Sequence, residues 1–330
     1  MSYPEISILV PIYKVENYIE KCIISLINQT IEEEVEIVFV NDCTPDRSIE
    51  ILQKTIKNNP PRKNFSIEII NHEKNRGQAA ARNTALNHAR GKYTLFIDSD
   101  DYIDSDMIEK MYKKAIESSA PIIMVDLIKE YKDHNFIVKA PFYKDKSNII
   151  SSFIRGESIY LCNKLILKSL YIENKLSFRE GYNMSEDYAM MIPLSFNASK
   201  IEYVPNTYYH YIQYNTDATT KRQTTEQEII SWLYSVEYME NYLKKNHITG
   251  FEKDILHRKL IVKYWCMLYA DKKKQKKYVK LYPEINSNLN ILLRKFKGKH
   301  LRINFYLVAK GYDLLFNLFV YVSKLFKYEF

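Results

Sequence analysis

The sequence predicts an α/β fold, a mostly parallel sheet with flanking helices, followed by an all-helical C-terminal extension. Three observations predict it. Short apolar β-branched runs alternate with helical stretches of about a dozen residues over roughly the first 130 positions, the pattern of repeated βαβ units. Strand-like segments stop near residue 220. Beyond that point the chain is helical by periodicity and rich in lysine.

Each element follows from its local pattern. ISILVPIY (6–13) is a buried strand, and 16–28 has helical spacing through Tyr18, Cys22, Ile23 and Leu26. EIVFVND (36–42) is a second strand, with a helix near 46–58. SIEII (66–70) is a third, and the Ala-rich stretch 78–89 is helical. YTLFID (93–98) and PIIMVDLI (121–128) are the next strands, on either side of a helix over 105–118. Segment 131–146 alternates weakly, as a hairpin or a loop. Helices near 147–155 and 186–197 flank a segment holding a strand and a helix, and strand-like IEYVP and TYYHYIQY (201–214) follow. Stretches 225–246, 251–271 and 301–328 are helical, with KKKQKK (272–277) as a polar junction. The boundaries drawn are an α/β domain over 1–220 and a basic helical region over 221–330.

Composition narrows the class. With 46% hydrophobic and 27% charged residues the chain is globular rather than disordered. Four cysteines without a CxxC pair argue against zinc fingers and a disulfide framework, and fit a reducing compartment. The segment MSYPEISILVPIY lacks a basic n-region, so no signal peptide is expected. Residues 1–250 hold 30 Lys and Arg against 34 Asp and Glu, whereas 251–330 hold 18 against 6. A mildly acidic body with a basic end fits a chain that meets an anionic surface, although a solvated lysine-rich face has the same composition.

Four constellations carry chemistry, each with a structural alternative. IDSDD (97–101) puts three carboxylates in four residues, which repel unless a cation or hydrogen bonds offset them. Mg2+ or Mn2+ suits such oxygen ligands. A solvated turn in which Asp104 or Asp101 caps the next helix explains the same residues. VNDCTPD (40–46) places Asp42 where a strand ends, as a ligand contact or as a turn residue ahead of a helix that Asp46 caps. NRGQAAARN (75–83) opens a helix at Gly77, which suits phosphate, but it matches neither a Walker A loop nor GxGxxG. Glu186 and Asp187 in NMSEDYAMM serve chemistry, or a first helical turn capped by Ser185.

Taken in order, these segments resemble family 2 glycosyltransferases of the GT-A fold. That family's V-P-x-Y-N-like opening is matched by VPIYKVENYI, and its S-L-x-x-Q-T by SLINQT (25–30). Its V-D-D-G-S-x-D corresponds to VNDCTPD, departing at Asn41 and Cys43. NRGQAAARN, GKYTLFIDSDD (91–101) and SED (185–187) match the remaining motifs, so the resemblance covers residues 5–220. After TYYHY the family often carries an Arg-rich stretch closing over the donor. Here Ile212 and Tyr214 stand there, with Lys221 and Arg222 as possible substitutes.

The resemblance implies an inverting transferase that moves a sugar from a nucleotide sugar, UDP-linked, to a hydroxyl of a glycan or lipid-linked acceptor in cell-surface polysaccharide synthesis, with Mn2+ or Mg2+ as cofactor and no nucleic-acid partner. It places Pro11, Tyr13 and Glu16 beside the nucleoside, and Asp42 as acceptor for the base N–H. Gly77 and Arg82 belong to the same nucleotide-sugar site, Asp98 to the ribose and Asp100 to the cation. Asp187 is the implied catalytic base, with Glu186 as fallback, and His210 is a further candidate metal ligand against a structural role. A metal-dependent phosphoryl- or nucleotidyl-transfer enzyme and a non-catalytic nucleotide-sugar-binding relative are the competing readings.

The tail INFYLVAKGYDLLFNLFVYVSKLF (303–326) is interrupted by Lys310, Asp313 and Lys324. Its longest uncharged run, Leu314–Ser323, falls short of the about 20 apolar residues a bilayer span needs. Lys310, Asp313, Asn317, Tyr321, Lys324 and Tyr328 would line one face of a single helix beside the basic run RKFKGKHLR (294–302). That predicts an amphipathic anchor on an anionic leaflet, and so a cytoplasmic enzyme peripheral to the inner face of the membrane. Packing of the same apolar face on protein is the alternative.

Overall fold

The computed structural model describes residues 3–182, 184–216, 224–294, 296 and 299–325. It divides into two compact units, one of residues 1–150 and 158–222, the other of 151–157 and 223–330.

The first unit begins as the alternation predicts. β1 (Ile6–Ile12), α1 (Ile19–Ile27), β2 (Val35–Asn41), α2 (Ser48–Asn58), β3 (Phe65–Asn71), α3 (Gln78–His88) and β4 (Tyr93–Phe96) follow in turn. Every residue of β1 is buried, as a central parallel strand covered on both faces requires. β5 (Tyr102–Ile103), α4 (Met107–Ser118), β6 (Ile122–Glu130) and β7 (Asn135–Val138) come next, β7 forming a hairpin with β6. α5 (Lys146–Arg155), β8 (Lys164–Leu167), α6 (Ser169–Glu173), α7 (Glu186–Asn197) and β9 (Ile201–Ile212) complete the series.

Among the described residues the sheet has nine strands, in the order β3-β2-β1-β4-β8-β6-β9-β5 with β7 beside β6. The expected parallel arrangement holds for β3, β2, β1 and β4. It is interrupted at β8, which lies antiparallel between β4 and β6, so the sheet is mixed while six of its nine described strands run the same way. IEYVP and TYYHYIQY are one strand, β9, with the register shift to β6 at Val125/Asp126 absorbing the irregularity.

The second unit is helical among its described residues: α8 (Glu226–Lys245), α9 (Glu252–Tyr269), α10 (Lys272–Tyr278), a 3-10 turn (Pro283–Asn288), α11 (Leu289–Arg294), α12 (Lys299–Lys310) and α13 (Asp313–Leu325). A capping box closes the start of α8, Thr225 accepting from Glu228 N while Glu228 accepts from Thr225 N. KKKQKK is not a junction but most of α10, capped by Asp271 and anchored by buried Gln275 and Tyr278. The tail is not one helix either. α12 ends at Lys310 and α13 starts at Asp313, with Gly311 between them at φ 75°, where a Cβ would also stand 2.8 Å from Val279 Cγ1. The supposed single polar face therefore does not exist, and Tyr328 and the Lys324 side chain lie outside the described residues.

Both tail helices have two apolar faces. Phe305, Val308 and Phe316 are buried, with Tyr264 of α9 meeting Phe305 at 4.7 Å and Phe316 at 5.8 Å between ring centres. Ile303, Tyr306, Leu314, Leu315, Leu318 and Tyr321 remain exposed, Leu314 by 81%. Among the described residues no helix is long and apolar enough to cross a membrane.

Candidate functional site

Parallel strands deliver their following residues to one edge of the sheet, where open α/β folds bind ligands. Ile12 pairs with Asn41 and Leu9 with Phe96, so the segments after β1, β2 and β4 emerge side by side. Pro11 is buried in β1 and Tyr13 is exposed beyond it. Glu16 is tied to the start of α2, its backbone N–H donating to Asp46 Oδ2 (3.0 Å) and its carboxylate accepting from Arg47 N (3.0 Å).

Asp42 is almost wholly buried. Its Oδ1 meets His72 Nδ1 at 2.7 Å and accepts from Arg76 N at 2.9 Å, while Oδ2 accepts from Gly77 N at 2.7 Å. The carboxylate thus holds the 75–77 loop that leads into α3, and Gly77 enters it at φ 86°. The two departures from the family pattern have local causes. Asn41 Oδ1 accepts from Thr44 N, fastening the turn, and Cys43 sits at φ 54°, the left-handed region that favours glycine.

Arg82, one turn into α3, is buried against the edge-to-face pair Phe96 and Phe178, 5.8 and 5.7 Å from their ring centres. Its guanidinium gathers three carboxylates from two distant segments. Nη2 donates to Asp98 Oδ1 (3.1 Å), and Nη1 donates to Glu186 Oε1 (3.0 Å) and to Asp187 Oδ1. Gln78, at the first position of α3, also donates to Asp98 Oδ1 (3.2 Å).

The acidic turn after β4 is not a helix cap. The N-cap of α4 is Asp106. Asp101 is buried, accepting from Tyr209 Oη (2.5 Å) and Ile212 N (2.8 Å), and burial beside Asp100 and Asp98 pushes its carboxyl well up. Asp100 accepts from Asn215 Nδ2 at 2.7 Å through Oδ2. Burial, and then the charge of Asp98, pushes Asp100 up to about 6. Among the described residues no group of three or more His, Cys, Asp or Glu is arranged to hold a metal ion. Asp98, partly offset by Arg82, and Asp100, which faces no cation of its own among the described residues, form a pair of hard oxygen donors that suits a cation taking its other ligands from phosphate.

Glu186 and Asp187 open α7, after Ser185 in the left-handed region at φ 62°. Ser185 holds the cap position without a side-chain cap bond. Burial holds both carboxyls above the ordinary range, against the pull of Arg82. Asp187 is the more open, 19% exposed against 9% for Glu186, and its Oδ2 accepts from Leu161 N (3.2 Å). Behind that contact, buried Lys164 donates to Tyr160 O (2.6 Å), Ser158 O (2.8 Å) and Asn163 Oδ1 (2.8 Å), and burial pushes its amine down to about 7.

His210 is engaged elsewhere. Nδ1 meets Glu130 Oε1 at 2.7 Å and Nε2 meets Asp104 Oδ1 at 2.9 Å, while the ring stacks on Tyr102 at 4.1 Å. Both ring nitrogens are thus taken up by carboxylate oxygens of this cluster, which argues against the metal-ligand expectation for His210. Arg82, Asp98, Glu186 and Asp187 thus stand together, Asp100 joins them through the acidic turn, and Asp42, Gly77 and Glu16 shape the neighbouring loops. Asn215 and Lys164 lie outside the quoted motifs, and Gln78 and Tyr209 lie within quoted segments without being singled out there. Lys221 and Arg222 lie outside the described residues.

The family model described as glycosyl transferase family 2 matches residues 7–179. An uncharacterized glycosyltransferase of Bacillus subtilis, EpsJ, is 31% identical over 218 residues, 63% of this chain and 61% of that protein. A poly(ribitol-phosphate) beta-glucosyltransferase of Bacillus spizizenii is 30% identical over 212 residues, 63% of this chain and 32% of that one. The crystal structure of S. aureus TarS 1-349 in complex with UDP-GlcNAc superposes with a TM-score of 0.71 at 18% identity, covering 99% of this chain and 93% of that one, a likeness of fold. The chain spans about three fifths of the length of the Bacillus subtilis relatives it matches, or less of the others. With the family model covering more than half of the sequence on a GT-A sheet, the chain belongs to glycosyl transferase family 2.

Proposed function

We propose that this chain is an inverting glycosyltransferase that moves a sugar from a UDP-linked donor to a hydroxyl of a glycan or lipid-linked acceptor in cell-surface polysaccharide synthesis. The observation that carries it is the single buried guanidinium of Arg82 holding Asp98, from the donor turn, against Asp187, from α7. A donor-binding carboxylate and a partly exposed candidate base are thereby kept at one point. Asp42 has three of its about four acceptor positions filled, leaving one for a base N–H.

In this reading the acceptor hydroxyl attacks the anomeric carbon opposite the leaving diphosphate. Asp187 takes the hydroxyl proton on its open side as the new bond forms, its elevated basicity suiting the task. Arg82 keeps that carboxylate in place. Asp98 holds the ribose, and Asp100 would hold the Mn2+ or Mg2+ ion. When bound, the cation supplies positive charge for the oxygen of the departing diphosphate. A retaining route would need a second carboxylate as nucleophile, and Glu186 is more enclosed than Asp187.

The location proposed is the cytoplasmic face of the cell membrane, reached through the outer apolar face of α12 and α13 with exposed Arg302 and Lys310 beside it. The test is a panel of UDP-glucose, UDP-galactose, UDP-GlcNAc and UDP-GalNAc, assayed with Mn2+ for binding and for hydrolysis with water as acceptor. Saturable turnover of one UDP-sugar that falls by several orders of magnitude, to a residual rate, in Asp187→Asn supports the assignment. Turnover of none, with or without metal, overturns it.

A further inference from the structure

The peptide between Tyr160 and Leu161 is shared by two charged side chains. Its carbonyl oxygen accepts from Lys164 Nζ at 2.6 Å, and its N–H donates to Asp187 Oδ2 at 3.2 Å. A planar trans peptide points these two groups in opposite directions, so Lys164 and Asp187 grip it from opposite sides. Lys164 is fully buried, and its ammonium has three protons for three acceptors, the other two being Ser158 O and Asn163 Oδ1. The anchor is itself anchored. Asn163 Nδ2 donates to Val125 O (2.6 Å), and Asn163 O accepts from Val125 N (3.1 Å), fastening the loop to β6.

Burying an amine in this way is costly unless all its protons are used. A methionine of similar length would fill the space without that cost. The feature an apolar side chain cannot reproduce is the direction of the peptide. Without a donor behind the Tyr160 carbonyl, the peptide is free to turn that oxygen toward Asp187, replacing a donor by a repelling acceptor. A cation on the carbonyl also polarises the peptide and strengthens its N–H as a donor.

We propose that Lys164 is a positioning residue for glycosyl transfer, orienting the 160–161 peptide so that its N–H fixes one oxygen of Asp187 while Arg82 fixes the other. This rests on reading Asp187 as the base. The family motifs reached Asp187 without including Lys164, which enters through β8 and the loop before it.

The experiment is a double-mutant cycle on the full chain, using the UDP-sugar with the highest turnover in the panel, Mn2+, and water as acceptor. Lys164→Met is expected to lower kcat about tenfold or more while donor KM stays within about twofold, because the loss falls on the base and not on donor binding. In an Asp187→Asn background the same change is expected to have less than about a twofold effect, since the group it positions is gone. An equal fold-loss in both backgrounds would mark Lys164 as merely structural and overturn the proposal, as would unchanged kcat in Lys164→Met with Asp187→Asn inactive. Wild-type turnover in Asp187→Asn would instead remove the base assignment, and the proposal with it. If Lys164→Met does not fold by circular dichroism, Lys164→Arg takes its place in the cycle. It keeps the charge but cannot reproduce the three-acceptor geometry, so the same non-additive loss is expected, and additivity again overturns the proposal.

Discussion

Nη2 of Arg82 lies 3.1 Å from Oδ1 of Asp98, bringing an α3 side chain to the turn after β4 while Nη1 of the same group reaches α7. The buried cation and three carboxylates form one electrostatic unit, and the charge of the acids pushes the Arg82 guanidinium up against the opposing effect of its burial.

Removing the cation leaves the acids uncompensated. Arg82→Met should cost about 3–5 kcal/mol of stability, the range for breaking a buried pair from one side. Arg82→Lys should recover part of it while failing to reach all three partners. Urea melts of the three proteins measure this, and a change below about 1 kcal/mol for Arg82→Met would mean the cluster relaxes into water.

Asp100→Asn should abolish transfer and leave the fold intact, because Asn215 can still pair with an amide oxygen. Wild-type turnover should vanish in excess chelator and return with Mn2+ or Mg2+. Full activity in chelator would refute the assignment of Asp100 to the cation.

Asp187→Asn should lower turnover by several orders of magnitude with little change in donor affinity, because the proton leaves only as the acceptor attacks. Glu186→Gln should be milder. The reverse ranking in kcat would transfer the base role to Glu186, and two mild variants would leave both residues as partners of Arg82.

The raised carboxyl of Asp100 makes a signed prediction about pH. A carboxyl that binds its proton more tightly when folded stabilises the protein at low pH, and that contribution drains as pH rises through about 6. Without divalent ions, wild type should therefore lose stability relative to Asp100→Asn between pH 4 and 7, by up to about 3 kcal/mol. Added Mn2+ should reverse the loss. Parallel stability profiles for the two proteins would rule out the shift.

The tail offers a test by substitution rather than truncation, because Phe305, Val308 and Phe316 belong to the interior of the second unit. Leu314→Glu combined with Leu318→Glu should leave the melting transition within a few degrees of wild type and abolish co-sedimentation with phosphatidylglycerol vesicles. High salt should weaken wild-type binding. Equal binding by wild type and the double variant would exclude this face.

The β1–β4 series was readable because its strands are short, rich in β-branched and apolar residues, and separated by helices that repeat at their own period. β5 was not, since Tyr102 and Ile103 become a strand only by pairing with Tyr209 and His210. Nor could local pattern reveal that β8 inserts antiparallel between β4 and β6. In α10 the lysines hid a helix whose register is held by Gln275 and Tyr278, and at Gly311 an apparently unbroken period concealed a turn. Asp98, Arg82, Glu186 and Asp187 were legible as members of motifs. Asn215, Tyr209 and Lys164 were not, because their part depends on where a distant strand or loop brings them.

The acidic turn at 98–101 is held by groups that appear late in synthesis. Tyr209 and Ile212 grip Asp101 across 108 and 111 residues, and Asn215 grips Asp100 across 115. At a translation rate of about 5–20 residues per second, this turn waits roughly 6–20 s for its fasteners after its own residues are made. During that interval Asp100 and Asp101 have no such partners, and β1–β4 must hold together with an unfinished edge. The turn therefore acquires these fasteners only near the end of the first unit's synthesis.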